Sequence, residues 1–594
     1  MKRIFSVSSI VMFIESVRAS DRLLLRLALF GVVAAAIWFI VSLNNTATVT
    51  EVRTGGTLKE GIVGTPRFVN PVLALTRADQ DVTALVYSGL FAVDSAGDLV
   101  PNIASAWELS PDGTTYTITL RQDVQFHDDI PLTATDVMFT IGLVQNDDLK
   151  SPLRGNWSGV NTNVIDDYTF EIVLEEPFAP FIENLTLGIL PAHIWREIPI
   201  EQVPFSSFNT TPVGSGPFEI ADTTFGNNGT VSEYRLVGHT THQPAPFLTE
   251  LFLRFYADEA ALVEAWGSEV TSSAYLPPTV VANQLDPDDF SVSEIPLTRT
   301  FALFFNQNRS AVLRDPAVRE ALELTLDRDQ LVQTGLNGAG IPSATAVHTS
   351  ADGIELVDLH ASLGTTTDEK EDGLAIATMV LQEAGWNQTD GGTWEKTIDG
   401  DLTELGFTIR TVNSPLFEAT ARELVIAFER LGVVVSTEQF TQSDLVQSVI
   451  RERDFEMLLF GIDPGRTQDL YPFWHSSQQN DPGLNIAQYT NLTVDGELEI
   501  ARTTSDQATR QAALATIDTI ITEERPAIFL FRPTVQYVAP VTLESTFDNR
   551  LSQPADRFSS ITSWYTEERN LWPFFTNQAN EPDQTLDTVE QNNN

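Results

Sequence analysis

Between Ala302 and Ile528, apolar strand-like runs alternate with segments of helical spacing, and that alternation is the signature of an α/β body. Phe301-Ala-Leu-Phe-Phe305 carries no polar residue, so it reads as a strand covered on both faces. Asp315-Pro316 supplies an N-cap followed by proline at the first helical position, with Val318, Ala321 and Leu322 continuing one face. Leu374 to Ala384 and Leu416 to Leu431 read as helices ending at Gly385 and Gly432, which suit a left-handed C-cap. Thr114 to Leu174 has a different pattern. There an acidic turn, Asp112-Gly113 or Asp166-Asp167, precedes a period-two run, Tyr116 to Leu120 or Tyr168 to Leu174, as in half-buried antiparallel strands. A chain of 594 residues with two such patterns implies several domain-sized units.

The N-terminal half adds local signals of the same kind. Gly55-Gly56 opens the folded body, Thr57 to Val63 reads as its first strand, and Asp79 to Leu90 has helical spacing. Thr133-Ala-Thr-Asp136 before Val137-Met-Phe139 predicts a capped helix start. Pro212-Val-Gly-Ser-Gly-Pro217 is a turn cluster, followed by strand-like Phe218 to Ile220, Tyr234 to Val237 and Leu251 to Tyr256.

From Leu27 to Leu43 the chain carries no charge, and Leu23 to Leu25 extend the run if Arg26 snorkels, which is enough for one membrane helix. Lys2, Arg3, Arg18, Arg22 and Arg26 precede it, while Asn44 to Thr50 is uncharged, so the expected orientation leaves the N-terminus in the cytoplasm and the large body outside. A cleaved signal peptide is the competing reading; its apolar region is usually shorter, and no small-x-small site follows here. Ile4 to Ile14 is too short to span and suits an interfacial helix, Asn44 to Thr54 reads as a spacer, and the polar end from Asn577 to Asn594 as a disordered tail.

The formal net charge is −46, from 81 acidic against 35 basic residues, which repels nucleic acid. The absence of cysteine excludes disulfides, thiolate metal sites, cysteine nucleophiles and a lipidated cysteine anchor. His239-Thr-Thr-His242 has ligand-like spacing but no accompanying glutamate, Gly214-Ser-Gly216 does not complete a nucleophile elbow, and there is no phosphate-binding lysine loop. No catalytic residue, metal site or cofactor is expected.

Ordered blocks along the body resemble one family. They are Gly55-Gly-Thr-Leu58 with Asn70-Pro71, Leu85-Val-Tyr-Ser-Gly-Leu90, Leu99 to Glu108, Ser110 to Tyr116, Val124-Gln-Phe-His-Asp128 and Pro131 to Val137. Pro212 to Phe218, Phe305-Asn306, Asp315 to Arg319, Leu326-Asp-Arg328 and Glu383-Ala-Gly-Trp386 follow in the same order. Together they are similar to the family 5 solute-binding proteins, which bind dipeptides, oligopeptides or nickel for ABC importers. The resemblance implies an α/β, two-lobed fold of the periplasmic-binding-protein type (type II) with an extra inserted domain, here preceded by one transmembrane helix.

On that resemblance the first lobe comprises residues 55–75, 211–296 and 525–564, the insertion 76–210, and the second lobe 297–524. The implied function is capture of a peptide or peptide-like solute between the lobes by a monomer, which delivers it to permease subunits served by a separate ATPase. A membrane-anchored sensor or scaffold of the same fold is the alternative, and a hydrolase using Asp463 and Asp469 a more distant one.

The resemblance also points to site residues. The loop after the apolar strand Phe455 to Phe460 carries Asp463 and Asp469, either of which could receive a ligand ammonium, although Asp463 also suits the opening of an Asp-Pro-Gly turn. Asn413 and Ser414 stand where dipeptide-binding members place an arginine for the ligand carboxylate, a departure that favours longer peptides or another solute. Trp474, Asn485 and Tyr489 match positions near the cleft, and Phe68 and Asn70 face it from the opposite lobe; a core role for Trp474 and a turn role for Phe68 and Asn70 stand beside these readings.

Overall fold

The computed structural model describes residues 27–28, 30–39, 42, 49–94, 97–347, 367–547 and 550–571, which separate into a small unit from the two chain ends and a large body, Gly55–Trp564. In the small unit, Val49–Val52 pairs antiparallel with Glu568–Leu571. The polar spacer expected there thus contains a strand, whose partner lies at the far end of the sequence and leaves no local trace. Residues 30–39 are helical, with Phe30 and Trp38 more than 70% exposed. No helix among the described residues is long and apolar enough to cross a membrane. The segments Ile4 to Ile14 and Asn577 to Asn594 lie outside the described residues.

The body is organised by two sheets. In the first, Thr57–Val63 pairs parallel with Glu250–Tyr256, which continues antiparallel through Val231–Gly238 to Phe218–Phe225. The second runs in the order Phe290–Pro296, Ala527–Pro540, Thr300–Phe305, Met457–Ile462, Gly406–Val412, Val434–Phe440, with Gly340–Pro342 added against Ala527–Pro540. A separate antiparallel sheet, Ala104–Leu109, Thr115–Leu120, Thr169–Val173 and Asn161–Val164, forms the heart of the intervening segment. The two period-two runs of the sequence are its inner strands, with Tyr116, Ile118, Leu120, Phe170 and Ile172 all buried.

Thr300–Phe305 is buried along its whole length because helices cover both faces of its sheet. Phe301, Leu303 and Phe305 point to a core shared with helices Pro316–Leu324, Arg328–Leu336 and Pro415–Leu431; Ala302 and Phe304 point to another, shared with Leu492–Thr503 and Gln507–Glu524. Burying side chains of this size contributes about 1.5–3 kcal/mol each, which fixes the register.

The strand Ala527–Pro540 serves both lobes. Ile528, Leu530 and Phe531 join one second-lobe core and Ala527 and Phe529 the other, whereas Val535, Tyr537, Val538 and Ala539 belong to the first-lobe core. The same change occurs between its two neighbouring strands, from Ile295 on Phe290–Pro296 to Phe301 on Thr300–Phe305. The changeover therefore falls at Leu297 to Arg299 and Arg532 to Thr534. There Leu297 N donates to Pro533 O, and the Arg532 side chain donates twice to Leu297 O, at 3.0 and 3.3 Å.

Local signals set several element ends. Asp315 caps Pro316–Leu324, Thr133 and Asp136 form a reciprocal capping box at Ala134–Gln145, and Gly432 closes Pro415–Leu431 at φ 91°. The helix expected over Asp79 to Leu90 stops earlier, spanning Arg77–Val86. Its last carbonyl is taken by Gly216 N, and the Gly214 and Gly216 backbone packs so closely on Val86 that neither position has room for a side chain.

Candidate functional site

Met457–Ile462 lies in the second sheet between Thr300–Phe305 and Gly406–Val412, but its two edges differ. Against Thr300–Phe305 it pairs along its length, from Phe305↔Met457 to Thr300↔Ile462. Against Gly406–Val412 only Ile409↔Met457 and Arg410↔Leu458 are in register, and a side-chain bond from Thr411 Oγ1 to Leu459 O follows. Past that point the strands diverge. Phe460 to Ile462 thus has one edge with no neighbouring strand among the described residues, and the chain then turns at Asp463.

The Asp463 carboxylate is set by the crossover between the lobes. Oδ1 accepts from Thr298 Oγ1 at 2.7 Å and from Gly465 N at 3.2 Å, which is an Asp-Pro-Gly turn fastened to the crossover segment Leu297 to Arg299. Oδ2 faces Arg299 Nη2 at 3.6 Å, with the Asp463 side chain 31% and that of Arg299 49% exposed. One oxygen is therefore committed to structure, and the other has a loose, solvated partner.

Asp469 is placed differently. It pairs with Arg502 at 3.5 Å and accepts from Tyr471 N at 3.3 Å, while the Arg502 guanidinium lies 4.4 Å from the Tyr471 ring centroid and 4.8 Å from that of Phe178. Burial raises the Asp469 carboxyl, and Arg502 pulls it back toward the ionised form. The two aspartates thus do separate work.

The other sequence candidates are largely engaged within the fold. Asn413 is exposed and its N–H donates to Phe440 O, while Ser414 Oγ caps Pro415–Leu431 by accepting from Phe417 N. Trp474 is fully buried against Phe304, Tyr489 and Phe529. Asn485, also fully buried, donates to the carbonyls of Trp474, His475 and Tyr489 and accepts from Tyr489 N at 3.0 Å. Tyr489 donates its hydroxyl to Glu524, and burial raises its phenol. Across the body, Asn70 holds Asn209 and Val72 N, and half-buried Phe68 donates its N–H to Asp79.

Thr298, Arg299 and Glu183 meet the Asp463 turn but carry no sequence signal for it. The first two fall between two strands of ordinary appearance, and Glu183 arrives from the short 3-10 segment Ala179–Thr186. Elsewhere, His242 Nδ1 bonds Pro244 O and His239 Nε2 bonds Thr241 Oγ1. No group of three or more metal-ligating side chains occurs among the described residues.

The model of the bacterial extracellular solute-binding proteins, family 5, matches residues 98–483, which include the antiparallel sheet between Ala104 and Val173, the strand Thr300–Phe305 and the Asp463 turn. The chain belongs to this family. Its members bind solutes, and the two-lobed α/β body described above is the family 5 fold. Over 503 residues the chain is 25% identical to the oligopeptide-binding protein AppA of Bacillus subtilis, covering 82% of this chain and 88% of AppA. The structure of that AppA in complex with a nonapeptide superposes with a TM-score of 0.61 at 24% identity, over 87% of this chain and 100% of AppA. The murein tripeptide binding protein MppA, in an unliganded open form, superposes with a TM-score of 0.70 at 18% identity, over 88% of this chain and 99% of its own.

Proposed function

We propose that this family 5 protein is the receptor of an ABC importer and takes up a peptide or peptide-like solute by adding it, as an extended strand, beside Phe460 to Ile462, with its ammonium on Asp463. The observation that carries the reading is the strand edge that, among the described residues, runs without a neighbouring strand into Asp463. Such an edge offers main-chain donors and acceptors to any extended peptide whatever its side chains. The second oxygen of Asp463 then supplies a charge-assisted contact at one end of that strand. Nothing in this arrangement calls for bond breaking; the work is binding, closure of the lobes about Leu297 to Arg299 and Arg532 to Thr534, and delivery to permease subunits. AppA, with its bound nonapeptide, supports a peptide as the solute class. Asn413 and Ser414, without a cation for a ligand carboxylate, favour peptides longer than a dipeptide.

Native mass spectrometry of the purified chain with an equimolar pool of peptides of two to nine residues tests this reading. Retention of the longer peptides is expected, and retention of none would overturn it.

The same proposal places the body outside the cytoplasm, held by Leu27 to Leu43 with the basic N-terminus inside. Protease added to intact cells should digest the body and spare a tag placed at Met1; digestion of neither would overturn this placement.

A further inference from the structure

We propose that Glu183 and Arg466 are positioning residues that fasten the Asp463 turn to the first lobe and the inserted segment, so that the carboxylate offered to ligand keeps its orientation as the second-lobe helices move. The proposal rests on the reading of Asp463 as the ligand's ammonium receptor.

A single carboxylate gathers three donors of this turn. Glu183 Oε1 accepts from Arg466 N at 3.1 Å and Ser552 Oγ at 3.4 Å, while Oε2 accepts from Thr467 Oγ1 at 2.9 Å and Thr467 N at 3.3 Å. Two successive backbone amides, just beyond Asp463, are thereby satisfied by a residue of the inserted segment. Gly465 makes the approach feasible: its φ is +71°, and a Cβ there would stand 3.3 Å from Glu183 Oε2.

Arg466 reaches the other way. Its guanidinium donates to Arg550 O at 2.6 Å and to Asp556 Oδ2 at 2.9 Å, with only 5% of the side chain exposed. Asp556 also accepts from Ser552 N and Gln553 N, so Arg466 is attached to a carboxylate already fixed at the start of Pro554–Ser563. The next residue, Arg557, is locked by fully buried ion pairs to Glu60 and Asp81. The turn is thus anchored on a rigid part of the first lobe, and Thr298 holds its Asp463 end to the crossover.

The second lobe grips the same turn through Arg502 on Asp469, at 3.5 Å, and Arg510 on Thr467 O. Against that one ion pair and one charge-assisted hydrogen bond, Glu183 takes two backbone amides and a hydroxyl of the turn and Arg466 donates to two first-lobe oxygens, the more numerous and more directional set. When the lobes move, the turn stays with Glu183 and Asp556, and the Arg502 and Arg510 contacts adjust.

The test uses the full chain and its variants Glu183→Ala and Glu183→Gln in two measurements. Hydrogen exchange should speed up at least tenfold over residues 464–469 in Glu183→Ala and by less in Glu183→Gln, with 457–462 unchanged; equal exchange in all three proteins would overturn the tether. Binding of hexaalanine is then compared with binding of Nα-acetyl-hexaalanine. Preference for the free amine should fall at least fivefold in Glu183→Ala, with affinity for the acetylated peptide changing less than twofold. A full preference retained despite faster exchange would overturn the positioning role. Absence of any preference in the unmodified protein would instead reject Asp463 as the ammonium receptor, and with it the positioning role, while exchange still decides the tether.

Discussion

Arg557 and Asp81 meet through two parallel hydrogen bonds, Nη1 to Oδ1 at 2.8 Å and Nη2 to Oδ2 at 2.9 Å, with neither side chain exposed to solvent. Nη2 also reaches Glu60 Oε1 at 2.9 Å, and Tyr275, Tyr537 and Ser272 donate hydroxyls to the two carboxylates. One cation between two acids ties the first strand, the helix Arg77–Val86 and the segment Pro554–Ser563 into one block. Arg557→Met leaves two buried carboxylates without their cation, and denaturant titration should show a loss of about 3–5 kcal/mol. A loss below 1 kcal/mol would show that the cluster adds little.

Asp518 makes stability depend on pH. Its Oδ1 accepts from Ala346 N and Val347 N, and burial pushes its carboxyl up to about 6 from the ordinary 3.8. The folded chain therefore holds this proton more tightly than the unfolded chain. The contribution is fully present below pH 4 and is lost as pH rises to 6, a change of about 3 kcal/mol. Asp518→Asn keeps an acceptor for both amides without the titration. Melting curves from pH 4 to pH 8 should show the variant gaining several degrees on the unmodified chain up to pH 6, then holding level. A constant difference across that range would contradict the assignment.

Ser414 separates a capping role from a binding role. Its hydroxyl accepts from Phe417 N at the start of a long helix, so Ser414→Ala should cost about 1 kcal/mol in stability. Ser414→Asp should restore it, with peptide affinity unchanged within twofold in both variants. A tenfold affinity loss without a stability loss would make Ser414 a ligand contact.

Asn485 offers a similar contrast. Asn485→Leu leaves Tyr489 N and three carbonyls without their partner in a closed environment, at an expected cost of about 2–4 kcal/mol. Faster exchange confined to residues 474–491 should accompany it. An unaltered melting temperature would show that water replaces the side chain.

What could be read in the sequence was what is encoded locally. Thr57 to Val63 was legible because a proline and glycine stop follows it, Asp315 because a cap and a proline adjoin, and Gly432 because a long apolar periodicity ends there. The crossover was not, since the run Ala527 to Phe531 is interrupted only by Arg532 to Thr534 before apolar residues resume, and packing alone shows its partners changing there. The site divides in the same way. Asp463 follows a strand and sits in a turn motif, so its place and its bond from Gly465 N could be found, whereas Thr298, its other donor, and Glu183, the turn's tether, lie far away in the chain. Asn485 has the composition of an ordinary loop residue, and nothing beside it signals that its amide is fully buried.

The most direct measurement is calorimetric titration of the unmodified chain and Asp463→Asn with a nonapeptide bearing a free N-terminus. Loss of one charge-assisted contact of about 1.5–3 kcal/mol predicts an affinity lower by about ten- to a hundredfold, with the melting temperature nearly unchanged. Equal affinity in the two proteins would contradict the account.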